Sequence, residues 1–382
     1  MEKVFDNVLR DTSLEKANNW KEEKVEDLIE IKYGKDHKKL NEGNIPCFGS
    51  GGLMRYVDAQ LYDDESILIP RKGSLNNIMY QNNPFWTVDT MFWSKIDKTK
   101  VFPKFLFYQL TLIDYTILNV GSAVPSLTVS VLNDIDVTLP PLPEQKAIAN
   151  VLSSLDNKID LLHKQNKTLE ALAKTSFRQW FDELDFDSTI LDLIQVQNGY
   201  AFKSKDFVDV GFDRVIKIKN ISNNMIDITA SDFISTEVAN KTNSKFKITT
   251  GDILFAMTGA EIGKMGIVET TEVNLWLNQR VGLFKEKYQG SKFLAYLCLQ
   301  SDFGQDYIEH AATGSAQPNI SSTGIEACPF PKLSSKEIKE YSNQLLPLYK
   351  KVIFNLGEIK TLEKLRDTLL PKLMSGEVSV KQ

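Results

Sequence analysis

One feature limits the folds open to this sequence more than any other: it contains the same unit twice. Gly121-Ser122-Ala123-Val124-Pro125 returns as Gly314-Ser315-Ala316-Gln317-Pro318, 193 positions on. At the same spacing Thr168-Leu169-Glu170-Ala171-Leu172 returns as Thr361-Leu362-Glu363-Lys364-Leu365. One offset held without a gap over about fifty residues marks a repeated unit. Upstream the matches weaken and the offset drifts. Asp27-Leu28-Ile29 pairs with Asp192-Leu193-Ile194, Ile67-Leu68 and Gly73 with Ile253-Leu254 and Gly259, and Phe105-Leu106 and Tyr108 with Phe293-Leu294 and Tyr296. The 382 residues therefore divide into two copies. Each has a globular head that diverged with insertions and a following segment that kept its length.

The constant segments carry helical periodicity. After Pro140-Pro141-Leu142-Pro143, apolar residues recur at intervals of four and three: Ile148, Leu152, Leu155, Ile159, Leu162, Leu169, Ala173 and Trp180. That is the a/d seam of a coiled coil. Pro143 suits a first helical turn. The second segment opens on Ser334-Ser335-Lys336-Glu337, a capping-box pattern, and its seam is Tyr341, Leu345, Leu348, Val352, Ile359, Leu362, Leu369 and Leu373. Pro347 lies inside it and predicts a kink; Gly376 suits the position past its end. Asn166, Ser176, Asn355 and Arg366 interrupt the seams. Setting Asn166 against Asn355 in an antiparallel pair aligns every other layer, among them Ile148 with Leu373 and Trp180 with Tyr341. A buried Asn pair would fix the register at some cost in stability. The competing expectation is that both amides face solvent.

The heads read as mixed α/β. Strand-type runs at Ser66–Pro70, Arg214–Ile218, Asp252–Met257 and Gly266–Val268 are separated by Gly, Asn and Asp turns, and helices are predicted over Pro103–Thr116 and Ser291–Asp306. The expected fold class is α+β, with two α/β domains in tandem (1–140 and 186–333). They are separated by two long helices (141–185 and 334–382) packed as an antiparallel coiled coil in a pseudo-twofold arrangement.

Composition narrows the function classes. No run approaches the eighteen or more apolar residues of a membrane span, and the mixed-charge start MEKVFDNVLRDTSLEK has no apolar signal core. Cys47, Cys298 and Cys328 form no CxxC and suit a reducing cytoplasm. His37, His163 and His310 stand apart from them, which argues against zinc. The net charge is −5, with regional nets of −4 (1–139), −1 (140–186), −3 (187–333) and +3 (334–382). A nucleic-acid partner would have to be met by a local patch.

Leu139-Pro140-Pro141-Leu142-Pro143-Glu144-Gln145-Lys146-Ala147-Ile148-Ala149-Asn150-Val151-Leu152, then Leu155-Asp156-Asn157-Lys158-Ile159-Asp160 and Asn166–Leu172, resemble the central helical region of type I restriction-modification specificity subunits. The segment Thr361–Val378 resembles the distal region of that family. The resemblance implies a non-catalytic subunit. Each head is then a target recognition domain reading half of a bipartite double-stranded DNA site. The helices set the spacing and dock two methyltransferase subunits, and restriction-translocase subunits complete the complex. S-adenosylmethionine, ATP and magnesium would belong to those partners, with no cofactor or metal in this chain. The alternatives are a specificity subunit of another methylation-based defence complex and a stand-alone DNA-modifying enzyme.

DNA-contacting candidates follow from side-chain chemistry, since Arg and Lys suit phosphates and guanine, and Asn and Gln suit adenine. In the first head these are Arg55 (beside Tyr56), Arg71, Lys72, Ser74, Asn76 and Asn77. In the second they are Tyr200 and Lys203 (near Asn198), Thr258, Lys264, Gln279, Arg280, Ser315, Gln317 and Asn319. Enzyme motifs are weak. Asn83-Pro84-Phe85-Trp86 lacks a proline of the amino-methyltransferase pattern and reads as a strand-edge turn. Phe48-Gly49-Ser50-Gly51-Gly52 lacks the Gly-Lys-Ser/Thr ending of a phosphate loop and reads as a turn. Glu144 and Gln145 read as helix-start capping. Trp86, Phe92, Trp93, Phe102, Phe105 and Phe107 read as core, and Trp180 and Phe181 as packing at the end of the first helix.

Overall fold

A computed structural model describes residues 9–11, 20–121, 123–312 and 318–380, with only the backbone of Leu9–Asp11. The chain forms two compact units, residues 1–158 with 362–382, and residues 159–361. Each unit takes a head and one stretch from each long helix.

In the first unit, Ile67-Leu68-Ile69-Pro70 is an unbroken apolar run entered from Ser66, and all five residues are buried, the Ser66 hydroxyl being satisfied by Ser94 O at 2.7 Å. It lies inside a four-stranded antiparallel sheet ordered Ile29–Tyr33, Met91–Ile96, Ser66–Pro70, Met79–Gln81. A second sheet of Gly52–Val57, Ile45–Gly49 and Trp86–Thr87 flanks it. Phe48-Gly49-Ser50-Gly51-Gly52 is the hairpin end of that sheet. Phe85 is fully buried beside Tyr62 and Trp93, so Asn83-Pro84 is the turn entering a strand.

The second unit repeats the first sheet with the same order: Ile194–Asn198, Val281–Glu286, Ile253–Ala256, Met265–Ile267. It then extends that sheet with Asn224–Ile226 and Ile221–Ser222, and adds a five-stranded sheet containing Asp213–Ile216. Two helix boundaries differ from the sequence expectation. Pro103–Thr111 stops early because Asp114 accepts from the backbone and hydroxyl of Thr116 (3.0 and 2.6 Å), closing a local turn instead. The region from Ser291 is two helices, Ser291–Gln300 and Asp302–Ala311. Ser301 breaks it with extended backbone (φ −69°, ψ 160°) and its hydroxyl accepts from Gly304 N at 3.1 Å.

The central helix is Leu142–Phe181 and the distal helix Ser335–Met374, forty residues each, or roughly 60 Å at 1.5 Å per residue. Ser334 and Glu337 form the expected reciprocal box: Glu337 N donates to Ser334 Oγ (3.3 Å) and Ser334 N to Glu337 Oε2 (2.8 Å). Gly376 adopts φ 73° just past the end. The helix runs unbroken through Pro347. Gln145 takes a part other than the capping expected of it: its buried amide accepts from Phe102 N (2.8 Å) and donates to Pro140 O (2.8 Å), tying the helix start to the helix beginning at Pro103.

Within each unit the two helical stretches run antiparallel. In the second, Trp180 packs on Tyr341 (4.7 Å between centroids) while, further along, Asn355 Nδ2 donates to Asn166 Oδ1 (2.7 Å) and Gln165 Oε1 (2.8 Å). Asn166 and Asn355 are 6% and 0% exposed, so the amides form a buried pair rather than facing solvent. In the first unit Arg366 reaches Asp156 at 3.1 Å, and Tyr108 also donates to Asp156. The apolar seam positions Ile148, Leu152, Leu369 and Leu373 are buried there.

Candidate nucleic-acid interface

At one end of each four-stranded sheet three chain segments meet, and the same backbone hydrogen bonds hold them in both units. Lys35 N donates to Thr87 O (2.8 Å), as Tyr200 N does to Leu277 O (2.8 Å). Met91 N donates to Val88 O (3.0 Å), as Val281 N does to Asn278 O (2.9 Å). Arg71 N donates to Thr90 O (2.8 Å), as Met257 N does to Arg280 O (3.1 Å). Gly73 N donates to Pro125 O (3.1 Å), as Gly259 N does to Pro318 O (2.9 Å). Leu127 N donates to Arg71 O (2.9 Å), as Ile320 N does to Met257 O (3.0 Å). Two glycine positions make this possible. A Cβ on Gly34 would stand 2.0 Å from Val88 O, and one on Gly199 2.1 Å from Asn278 O. Gly73 and Gly259 sit at φ 88° and 80°, where side chains are disfavoured. Pro125 and Pro318, which close the two Gly-Ser-x-x-Pro motifs, are thus equivalent points in one wall of a duplicated loop cluster. The short helices after these motifs, Val129–Asn133 and Ser322–Glu326, are capped alike by Thr128 and Ser321.

The cluster gathers many of the sequence-derived candidates. In the first unit Arg71 donates to Asp89 O (3.2 Å) and lies 5.2 Å from the centre of the Tyr33 ring. Exposed Lys72 pairs with Ser126. Ser74 is exposed, and its carbonyl accepts from Asn77 N (3.1 Å). Asn77 Nδ2 donates to Ser50 O (2.9 Å), binding the hairpin end to this loop. Asn76 accepts from Tyr115 N (2.8 Å) and donates to Asp114 (3.1 Å). With the Thr116 hydroxyl contributing most and Asn76 next, these bonds hold the Asp114 carboxyl below its usual pKa. Arg55 is differently employed. It lies on the flanking sheet and donates to His37 O (3.0 Å) and Leu40 O (2.7 Å), pinning that loop.

In the second unit Thr258 is buried and pairs with Asn319, and its hydroxyl accepts from Arg280 at 3.4 Å. Gln279 is exposed, with its backbone N–H on Tyr200 O (2.9 Å). Tyr200 stacks edge-on with Phe202 (4.9 Å). Lys203 is exposed beside a turn closed by Asp206, and Lys264 pairs with Glu261. Ser315 and Gln317 lie outside the described residues. Tyr33 and Asp89 joined no sequence-derived list. The 165-residue offset that maps Asp27 onto Asp192 also maps Tyr33 onto Asn198, and was the signal available for the tyrosine.

Among the described residues no group of three or more His, Cys, Asp or Glu side chains is placed to hold a metal ion. No described helix is long and apolar enough to cross a membrane.

Two heads with duplicated loops, each followed by a forty-residue helix, define a class, and sequence comparison names it. The family described as type I restriction modification DNA specificity domain matches residues 17–171 and again 185–364. The chain belongs to that family. It is 28% identical over 307 residues to the type I restriction enzyme MjaVIII specificity subunit of Methanocaldococcus jannaschii, covering 72% of this chain and 70% of the relative. It is 24% identical over 417 aligned positions to the MjaIX specificity subunit of the same organism, covering 95% and 94%. The crystal structure of the type I restriction-modification S subunit from M. genitalium shares the fold, with a TM-score of 0.67 at 18% identity over 94% of this chain and 97% of that one.

Proposed function

We propose that this chain is the DNA sequence-specificity subunit of a type I restriction-modification complex and is not itself catalytic. Residues 1–140 and 186–333 act as recognition domains, each reading one half of a bipartite site through its loop cluster. Residues 141–185 and 334–382 set the spacing and dock two methyltransferase subunits, with restriction-translocase subunits joining them in the cytoplasm. S-adenosylmethionine, ATP and magnesium act in those partners. The observation that carries this reading is the duplicated loop cluster: one backbone frame, built twice, presenting different side chains. The helices add support, since Leu161 and Leu172 of the central helix and Phe354 of the distal helix are exposed at 59%, 51% and 58%, large apolar side chains suited to covering by a partner. The chain's net charge of −5 fits a subunit whose phosphate contacts are shared with partners.

The test is to map methylated adenines in cells carrying the chain together with the methyltransferase encoded beside it. Two short motifs separated by a fixed gap are expected. Methylation by the purified chain alone, or a single uninterrupted motif, would overturn the proposal.

A further inference from the structure

The hydrogen bonds that equate the two loop clusters also equate individual positions. Arg71 corresponds to Met257 and Lys72 to Thr258, both on the loop leaving the buried strand; Asp89 corresponds to Gln279 and Thr90 to Arg280, both on the neighbouring turn. The first cluster carries its arginine on the loop and the second carries its arginine on the turn. Yet each guanidinium crosses the same gap. Arg71 reaches from loop to turn, donating to Asp89 O at 3.2 Å. Arg280 reaches from turn to loop, donating to Thr258 Oγ1 at 3.4 Å. Position for position, the two clusters share no arginine; place for place, they share one.

We infer that Arg71 and Arg280 are the matched specificity-determining residues of the two units, each supplying one guanidinium to an acceptor pair on its own half-site. This rests on the proposed DNA-reading function. A guanidinium has five N–H donors in a planar fork. The bond from one Nη1 to the other segment fixes the fork's place in the cluster and leaves the donors of Nη2 and Nε for an incoming ligand. Arg71 is further oriented by the face of Tyr33, itself half-exposed and packed edge-on against Phe92 at 5.1 Å. The acceptor geometry that fits such a fork is two oxygens or an oxygen and a nitrogen side by side, which DNA offers as guanine O6 with N7 or as a phosphate. In each unit this places the cation between the same two segments from opposite sides. A change of the recognised sequence during divergence can therefore move the arginine across the gap without moving the frame.

The experiment uses the full chain with its methyltransferase partner. Methylated sites are mapped in cells for the wild type, R71A, R280A and one exchange variant, R71M/T90R in the first unit; the converse exchange is left out because Met257 is buried in the core of the second unit. Binding to a duplex carrying the mapped site is then measured across salt concentrations. R71A is expected to disturb selection in one half of the site only and R280A in the other half only, each weakening that duplex about tenfold to a hundredfold. R71M/T90R is expected to recover most of the lost binding, and the change in base preference or salt slope confined to one half-site, which a purely structural bridge would not produce, separates recognition from packing. Loss of preference at one base pair identifies a guanine contact. A uniform loss with a salt slope smaller by about one identifies a phosphate contact. Both outcomes support the pairing. Alanine variants that leave both halves intact, or an R71M/T90R variant no better than R71A, would overturn it. A wild type that shows no bipartite site fails the functional reading instead, and is distinguished because it fails before any substitution is made.

Discussion

The two loop clusters have the same backbone and different side chains. Gly34 and Gly199 press against equivalent carbonyls, and Gly73 and Gly259 donate to equivalent prolines. Where the first cluster carries Arg71, Lys72, Asp89 and Thr90, the second carries buried Met257 and Thr258 with exposed Gln279 and Arg280. Backbone hydrogen bonds are satisfied inside each cluster and impose no residue identity beyond glycine and the proline-containing loop. The side chains above them are therefore free to vary without loss of the fold. The helices differ from the heads in the opposite sense. There an offset of 193 survives in the sequence, but it carries Asn166 onto Ile359 and Asn355 onto Leu162, so the buried amide pair occupies only one of two equivalent layers.

Substitutions separate the shared backbone frame from the side chains it carries. The largest effect is expected for G34A and G199A. A Cβ within about 2 Å of a backbone carbonyl must displace a chain segment, at about 3 kcal/mol in the affected unit. Denaturant unfolding should show similar losses for both; a loss in one alone would mean the frames are not equivalent. Next is the amide layer. N355A strands Asn166 in a buried seam and should cost about 2 kcal/mol. N166L/N355L should equal or exceed the wild type in stability while weakening the specification of register. A double variant as unstable as N355A would show that the amides are needed for packing itself.

G73A and G259A should each cost about 1 kcal/mol, because φ near 80–90° disfavours a side chain, and should reduce DNA binding more than stability. Equal DNA affinity in both variants would separate the loops from recognition. The smallest effect concerns Glu170. Burial raises its carboxyl pKa above the usual 4.5. A raised folded pKa means the folded state favours the protonated form, so the stability contribution is full below the usual pKa and is lost as pH rises through the folded value. E170Q removes that loss. It should raise Tm by about 2 °C at pH 8 and have less effect at pH 4. A larger gain at pH 4 would contradict the assignment.

Much of this was legible in the sequence, for physical reasons that differ by region. The helices repeat with a fixed period, so their seams and the capping box at Ser334 follow from counting; counting also aligned Asn166 with Asn355 but left open whether the amides face each other or solvent, which the buried pair decides. Ser66–Pro70 is legible because a strand buried on both faces reads as a continuous apolar run, here Ile67-Leu68-Ile69-Pro70, with Ser66 tolerated where its hydroxyl finds Ser94. Helix ends were less legible: Ser301 and Asp114 stop their helices through side-chain-to-backbone bonds that compete with a pattern otherwise suited to continuing. The loop cluster was legible only in part. Arg71, Lys72, Thr258 and Arg280 were selected by chemistry, but Tyr33 and Asp89 enter through tertiary proximity, and the different duty of Arg55 depends on a loop curling back onto it. The five-stranded sheet of the second unit, built from short strands, leaves little periodic signal.

The central claim is that each head reads its own half of the DNA site. The most direct measurement replaces residues 1–140 with a copy of residues 186–333 and maps methylated adenines in cells that also carry the methyltransferase partner. If each head reads its own half, the site stays bipartite and its two halves become the same short sequence, the half formerly read by the second unit. An assembled complex that still methylates the original asymmetric site would contradict it.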